Sequence, residues 1–374
     1  MFARKMVVFY LIALGLLILS KCSWAEINYT VTDLGAFPCG SRTPWSRASS
    51  INNSGQIAGD SVSLDGNQHA FIWECGMMKD LGTLGGSTSV SESINNCGTV
   101  VGWSHTTGFS NTHAFLWNNG EQMKDLGTLS GDDKSIFSDV NDAGQVIGTS
   151  MNSAERHAYI WDSANGMQRI NTFSGDAKSG VTAINNYGQI AGSSTDVDGI
   201  TRAALWHNID SGECLPALDN AYYSSATDIN DAGVVVGIAM VEPGLWSLCH
   251  SFIWDSIGGI KDIGFLQPGD NYCHANAINN HGAIVGYSYD SAKSSSTTHA
   301  FLQQDGKMYD LTSFIPTALR SSCTAVDIND AGQVIINSGR HAFLLTPVPE
   351  PSSILTLFCG IGGMGGLVWR RKSA

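Results

Sequence analysis

An all-β fold of repeated four-stranded units is what this sequence predicts, and three observations predict it. A nine-residue word, clearest as Ile184-Asn185-Asn186-Tyr187-Gly188-Gln189-Ile190-Ala191-Gly192, recurs with starts at Ile51, Ile94, Val140, Ile184, Ile229, Ile278 and Ile328. Its intervals of 43 to 50 residues fall in the range of propellers, solenoids and arrays. Gly is abundant, 42 of 374 residues, while charged residues make up only 14%, the balance of a chain made of strands and tight turns. An apolar share of 43% is ample for a large core.

Within one unit the elements follow in order. The first strand leads into the Ile-Asn word. Asn-Asn-x-Gly or Asn-Asp-Ala-Gly then turns the chain, because Asn, Asp and Gly tolerate positive φ. The second strand is Gln-Ile-Ala-Gly or its kin, and a variable polar loop follows, such as 61–68 or 288–298. The third strand is a second word, His69-Ala70-Phe71-Ile72-Trp73 in the first unit and His113-Ala114-Phe115-Leu116-Trp117 in the next. It is apolar on both alternating faces, which implies burial between stacked sheets. The fourth strand ends at a third word, Asp80-Leu81-Gly82 or Asp125-Leu126-Gly127.

Seven such units predict a seven-bladed β-propeller, and the phase of the repeat predicts a closed one. The array begins with a lone Asp-Leu-Gly strand, Tyr29 to Gly35, and ends at His341 to Leu345 without one. The N-terminal strand therefore completes the last unit and removes the free sheet edges. An open solenoid needs polar capping repeats instead.

The two ends of the chain speak of location. Arg4 and Lys5, an apolar run from Met6 to Ser20, and small residues at Ser23 and Ala25 predict a secretory signal over 1–25, cleaved between Ala25 and Glu26. An uncleaved membrane anchor is the alternative. The last segment, 347–374, opens with Pro349-Glu350-Pro351, continues as an apolar Gly-rich run from Ile354 to Trp369, and closes with Arg370-Arg371-Lys372. A single membrane helix is expected over about 352–369, its basic end held on the cytoplasmic side.

Two resemblances follow from these residues. The combined words of the array, over 26–346, resemble the bacterial extracellular HAF repeats, which implies a secreted protein and no particular activity. The fourth unit departs most from that pattern, with Arg202 for His and Ala204 for Phe. The tail resembles the PEP-CTERM sorting signal, which implies an exosortase-type processing enzyme as partner, acting at or near Pro349, Glu350 and Pro351 in bacteria that make exopolysaccharide. The tail is then a transient inner-membrane anchor, and the mature protein is released or passed to the cell surface.

Charge excludes one class of partner. Six of the 20 basic residues and none of the 33 acids lie before residue 26 or after residue 351, so 26–351 carries 14 basic and 33 acidic residues, a net of −19. Such a surface repels nucleic acid and favours divalent cations or neutral sugars over anionic polymers. Seven Cys lie between the end segments. Secretion permits disulfides, an odd count leaves one thiol unpaired, and the equivalent places of Cys273 and Cys323 make them a candidate pair.

The repeated residues read as structure. Equivalent His residues on a ring lie too far apart to form one catalytic site, and a His facing an Asp or Asn of a neighbouring strand satisfies its polar atoms. The Asn-Asn and Asn-Asp pairs sit at turn spacing, so calcium is at most a weak possibility, and neither a metal site nor a catalytic residue is assigned. Trp73, Trp117, Trp161, Trp206 and Trp254 occupy one place in a buried strand and read as core. Ligand binding is expected instead from unrepeated residues in variable segments: Trp45, Tyr222, Tyr223, Trp246, Tyr272, His274 and His281. The expectation is a secreted, non-enzymatic surface or matrix protein that binds exopolysaccharide or other envelope components. The alternatives are a carbohydrate-active lyase or hydrolase on the same scaffold, and a passive adhesin.

Overall fold

The computed structural model describes residues 27–39, 43–107, 111–241, 248–292 and 297–349. The leader at 1–25, Glu26, Trp246 and the expected membrane span at 352–369 lie outside these residues, as do Glu350 and Pro351. Val31–Thr346 forms one compact unit. Among the described residues no helix is long and apolar enough to cross a membrane.

The described residues of Val31–Thr346 form only β-strands and connecting turns, apart from two 3-10 turns, Leu311–Phe314 and Thr317–Leu319. Among the described residues five sheets have four strands and one has eight. The first repeat shows the common plan: Ser46–Ile51, Ile57–Val62, Gln68–Glu74 and Met77–Asp80 pair antiparallel in chain order. The eight-stranded sheet is two such sets, joined where Cys249 and Tyr272 form a single parallel pair. The first strands of successive repeats touch one another in a circuit: Ser46–Ile51, Gly85–Ile94, Lys134–Val140, Asp176–Ile184, Tyr223–Ile229, Tyr272–Ile278, Cys323–Ile328 and back to Ser46–Ile51.

The circuit is closed at its outer edge as the phase of the repeat requires. The N-terminal strand Tyr29–Asp33 lies beside His341–Pro347 as the fourth strand of the last sheet. Leu34 N–H donates to the Ala342 carbonyl at 2.9 Å, and His341 Nδ1 meets the Asp33 carboxylate at 3.0 Å.

Packing explains the words. On the third strands, Phe71, Phe115, Tyr159, Phe252, Phe301 and Phe343 are all 2% exposed or less, and each such ring contributes about 2–3 kcal/mol by leaving water. The five repeated Trp residues are buried as well. The last Gly of the nine-residue word makes room for these rings. At Gly59 a Cβ would run into the Arg47 carbonyl and the Phe71 ring; at Gly237 it would meet the Ser225 carbonyl and Phe252.

The Asn of each word carries the closure. Asn185 Oδ1 accepts from the Tyr187 and Gln189 N–H groups, fixing its own turn, and the turn ends at Gly188 with φ +79°, a conformation that favours Gly. Its Nδ2 crosses to the next repeat and donates to the Asn230 carbonyl at 3.1 Å. The same bond runs from Asn52 to Asn95, Asn95 to Asn141, Asn141 to Asn185, Asn230 to Asn279, Asn279 to Asn329, and Asn329 back to Asn52. A second cycle lies one residue further on, with Asn53 N–H donating to Asn96 Oδ1, Asn96 to Asp142, Asp142 to Asn186, Asn186 to Asp231, Asp231 to Asn280, Asn280 to Asp330, and Asp330 to Asn53.

Replacing Asn185 by Ala strands a buried carbonyl and two turn N–H groups. The expected loss is about 2–4 kcal/mol, read as the shift of a chemical-denaturation midpoint. Asn186→Ala, at the exposed neighbouring position, should lose less.

Candidate functional site

The repeated His residues are spent on structure. His Nδ1 meets the Asp of its own Asp-Leu-Gly word across the sheet: His69 with Asp80 at 2.9 Å, His113 with Asp125 at 2.9 Å and His250 with Asp262 at 2.6 Å. The Asp in turn accepts from the Gly N–H two residues on, as at Gly82 and Gly127. The third and fourth repeats break the rule. Arg169 and Cys214 stand opposite Tyr159 and Ala204, where Asp80 stands opposite Phe71. Without that Asp, His157 turns to Asp132 at 3.1 Å and Glu155 at 2.9 Å. No group of His, Cys, Asp or Glu among the described residues is arranged to hold a metal ion. Cys273 and Cys323, the candidate pair, are both buried and form no disulfide; each is the core residue five places before its word.

The end of the channel that carries the Asn words closes on a cavity of ≈ 170 Å³ lined by all seven words. Its acids alternate. The residue before each word is Ser50, Ser93, Asp139, Ala183, Asp228, Ala277 and Asp327 in turn. Each Asp accepts from its own Ile or Val N–H and from the corresponding N–H of the next repeat: Asp139 from Val140 and Ile184, Asp228 from Ile229 and Ile278, Asp327 from Ile328 and Ile51. One carboxylate thus serves two repeats. Burial pushes Asp139 up to about 6, with the Asp327 charge adding to the rise. Burial likewise raises Asp228 well above the ordinary carboxylate range and raises Asp327.

Six residues upstream of each word, about 20 Å along the strand, lies the opposite mouth. The residues there are Trp45, Thr88, Lys134, Lys178, Tyr223, Tyr272 and Ser322. Trp45, Tyr223 and Tyr272, expected in variable loops, thus occupy one repeated position, the latter two on first strands and Trp45 just ahead of one. The strand pattern hid this, because Thr, Lys and Ser occupy the same place elsewhere.

The sixth repeat gathers an aromatic face at that mouth. Tyr272 pairs with Tyr289 and His274 with Tyr287 in register. The Tyr272 and Tyr289 rings stack at 4.6 Å, and His274 and Tyr287 stack at 5.2 Å. Tyr287 and Tyr289 belong to no repeated word of the sequence; their alternation opposite Tyr272 and His274 is the signal that finds them. Burial holds His274 below the ordinary imidazole range, and its buried Nδ1 meets no hydrogen-bond partner. The other candidates are elsewhere. Tyr222 bonds Met240 Sδ at 3.5 Å, and His281 is exposed in the Asn turn at the far end.

A charged cluster unforeseen in the sequence lies between the first and second repeats. Arg47 pairs in register with Asp60, which is only 1% exposed and accepts from Gln68 Nε2 at 2.7 Å. Burial pushes Asp60 up to about 6 against the pull of Gln68 and Arg47, and the Glu92 charge adds to the rise. Burial also raises Glu92, which Arg47 and Trp103 partly restrain.

The fold belongs to the propeller class, as comparison with solved structures shows. The oligogalacturonate lyase of Vibrio parahaemolyticus superposes with a TM-score of 0.58 at 10% identity, over 87% of this chain and 98% of that one. A streptogramin B lyase gives 0.52 at 11% identity over 87% and 100%. The β-propeller domain of the trilobed protease of Pyrococcus furiosus gives 0.52 at 9% identity over 80% and 93%. At such identities the likeness is one of fold. Residues 347–372 match the PEP-CTERM protein-sorting motif, which implies recognition by an exosortase and an extracellular or surface destination. No curated protein matches the chain.

The raised carboxyls set the pH dependence. A folded pKa above the unfolded value of about 4 adds stability that is complete below pH 4 and lost as pH rises through about 6. Asp60 and Asp139, both pushed up to about 6, therefore make the fold more stable at pH 5 than at pH 7.5. Asp60→Asn should flatten that slope, measured as melting temperature against pH.

Proposed function

We propose that the chain is an exosortase-sorted, secreted seven-bladed β-propeller that binds a saccharide of the cell envelope or its exopolysaccharide without transforming it. The closed cycle of seven Asn bonds supports the count of blades. The observation that carries the binding function is the aromatic face of Tyr272, Tyr287, Tyr289 and His274 at the channel mouth. Stacked rings present flat apolar surface to the C–H faces of a sugar, and the tyrosine hydroxyls offer polar groups for its hydroxyls. Trp45 and Tyr223, at the same place in their own repeats, extend the platform round the mouth. The repeated His, Asn and Asp residues, by contrast, are used by one another, which leaves them no catalytic task.

Tyr272→Ala should weaken binding to a neutral oligosaccharide on a glycan array by about tenfold, the equivalent of ~1.4 kcal/mol, with the melting temperature held. Equal binding by the variant would contradict the assignment.

The Arg47, Asp60 and Glu92 cluster favours a second reading, a lyase or hydrolase. A buried carboxyl with a raised pKa beside a second acid and a cation is the pattern of a general acid. Release of reducing ends from a polysaccharide, abolished in Asp60→Asn, would establish that reading in place of the first.

The tail completes the proposal. Pro349-Glu350-Pro351 follows the last strand, and the apolar run behind it serves as a transient anchor that the processing enzyme removes. Mass spectrometry of the extracellular protein from its native host should find no species containing Ile354 to Ala374. In a host without the enzyme the full chain should remain in the inner membrane.

A further inference from the structure

The two repeats that break the His–Asp rule also frame a pocket. It has a volume of ≈ 470 Å³, within the range of small-molecule sites. Its walls come from Arg156 and His157 on one strand of the third repeat, Arg169 on the next, and Lys178 on the first strand of the fourth. Arg156, Arg169 and Lys178 are exposed, and none of the three forms an ion pair among the described residues. The acids at hand are engaged otherwise: Asp132 and Glu155 both hold His157. In a chain of net charge −13, three unpaired cations converging on one cleft need a reason. The repeat supplies a sharper one. Its rule places Asp at position 169, and the chain has Arg there, so a negative charge has been exchanged for a positive fork at the wall of this pocket alone.

We infer that this cleft between the third and fourth repeats binds the acidic group of an anionic saccharide, with Arg156 and Arg169 as forked donors to its oxygens and Lys178 as a third charge. A guanidinium matches the planar or tetrahedral oxygens of a carboxylate or sulfate with paired N–H groups, and the acidic surface around the cleft confines the anion to it. That the anion is borne by a saccharide rests on the proposed binding function. The net charge of the chain pointed to neutral sugars; this pocket is the local exception.

Binding of the full chain to three hexasaccharides, a uronate, a sulfated glycan and a neutral one, is measured by calorimetry. The acidic probes should bind, more weakly as salt rises above about 0.1 M, and Arg169→Asp should weaken them at least tenfold with the melting temperature unchanged. That variant restores the residue the repeat prefers and gives His157 back its partner, so misfolding is not expected; Lys178→Ala is the second variant and should lose affinity in the same direction. Preference between uronate and sulfate then distinguishes the two sources of charge. Acidic probes that bind no better than the neutral one, or that bind Arg169→Asp as well as the parent, overturn the inference. Neutral binding lost in Tyr272→Ala with no acidic binding anywhere leaves the aromatic platform standing and removes only this pocket. Acidic binding lost in Arg169→Asp with no neutral binding does the reverse.

Discussion

A carboxamide that donates across the seam between repeats is the interaction on which the rest depends. Each repeated Asn is 3–6% exposed, and its two polar atoms do different work. The oxygen shapes its own turn, and the nitrogen satisfies a buried carbonyl next door. Neither Asp nor Ser substitutes for this: Asp lacks the donor and Ser lacks the reach and the second atom. Because the bond runs from every repeat to the next and the last returns to Asn52, no repeat has a free end. Sheet packing through the Phe and Trp residues then adds its apolar burial to a ring already held at its hub.

An odd number of repeats leaves a defect in this hub. One buried Asp serves two repeats, so the acid is needed in every second one, as it is at 139, 228 and 327. Seven does not divide by two. The first and second repeats fall next to each other without the acid, and Ser50 and Ser93 stand there, their hydroxyls donating to the acids on either side, Asp327 and Asp139. The exposed cycle repeats the arrangement: Asp142, Asp231 and Asp330 each accept from Asn carboxamides on both sides, while Asn53 and Asn96 adjoin. The buried Asp60, with Arg47 and Glu92 exposed beside it, lies between the same two repeats.

Much of the fold was legible because the repeat makes its rules visible seven times. The turn at Asn185 and Gly188, the burial of Trp117, the pairing of His113 with an acid and the completion of the last sheet by Tyr29 to Gly35 all follow from words and phase. The candidate site was less legible. Tyr272 and His274 were singled out as unrepeated residues, but their strand position, and the part played by Tyr287 and Tyr289, depend on register that no single word encodes. Asp60 reads in the sequence as an ordinary polar strand residue, since its burial depends on strand pairing and packing that no single word encodes. Arg169 and Lys178 lie 9 positions apart in sequence but face one cleft only because successive sheets stack.

The proposed function rests on departures from the repeat. Where the repeat keeps its rule, as at His113 and Asp125, the residues hold the scaffold; where it breaks, at Arg169 or at the aromatic face of the sixth repeat, lie the side chains of the proposed binding sites. That reading stands on the ring being closed, and native-state hydrogen exchange tests the closure most directly. The amides of Asn53, Asn96, Asp142, Asn186, Asp231, Asn280 and Asp330 each donate across a seam. A closed ring opens all seams in one cooperative event, so these protons should exchange with a common free energy. An open stack frays from its ends; a graded series, lowest at Asn53 and Asp330 and highest at Asn186, would contradict the account.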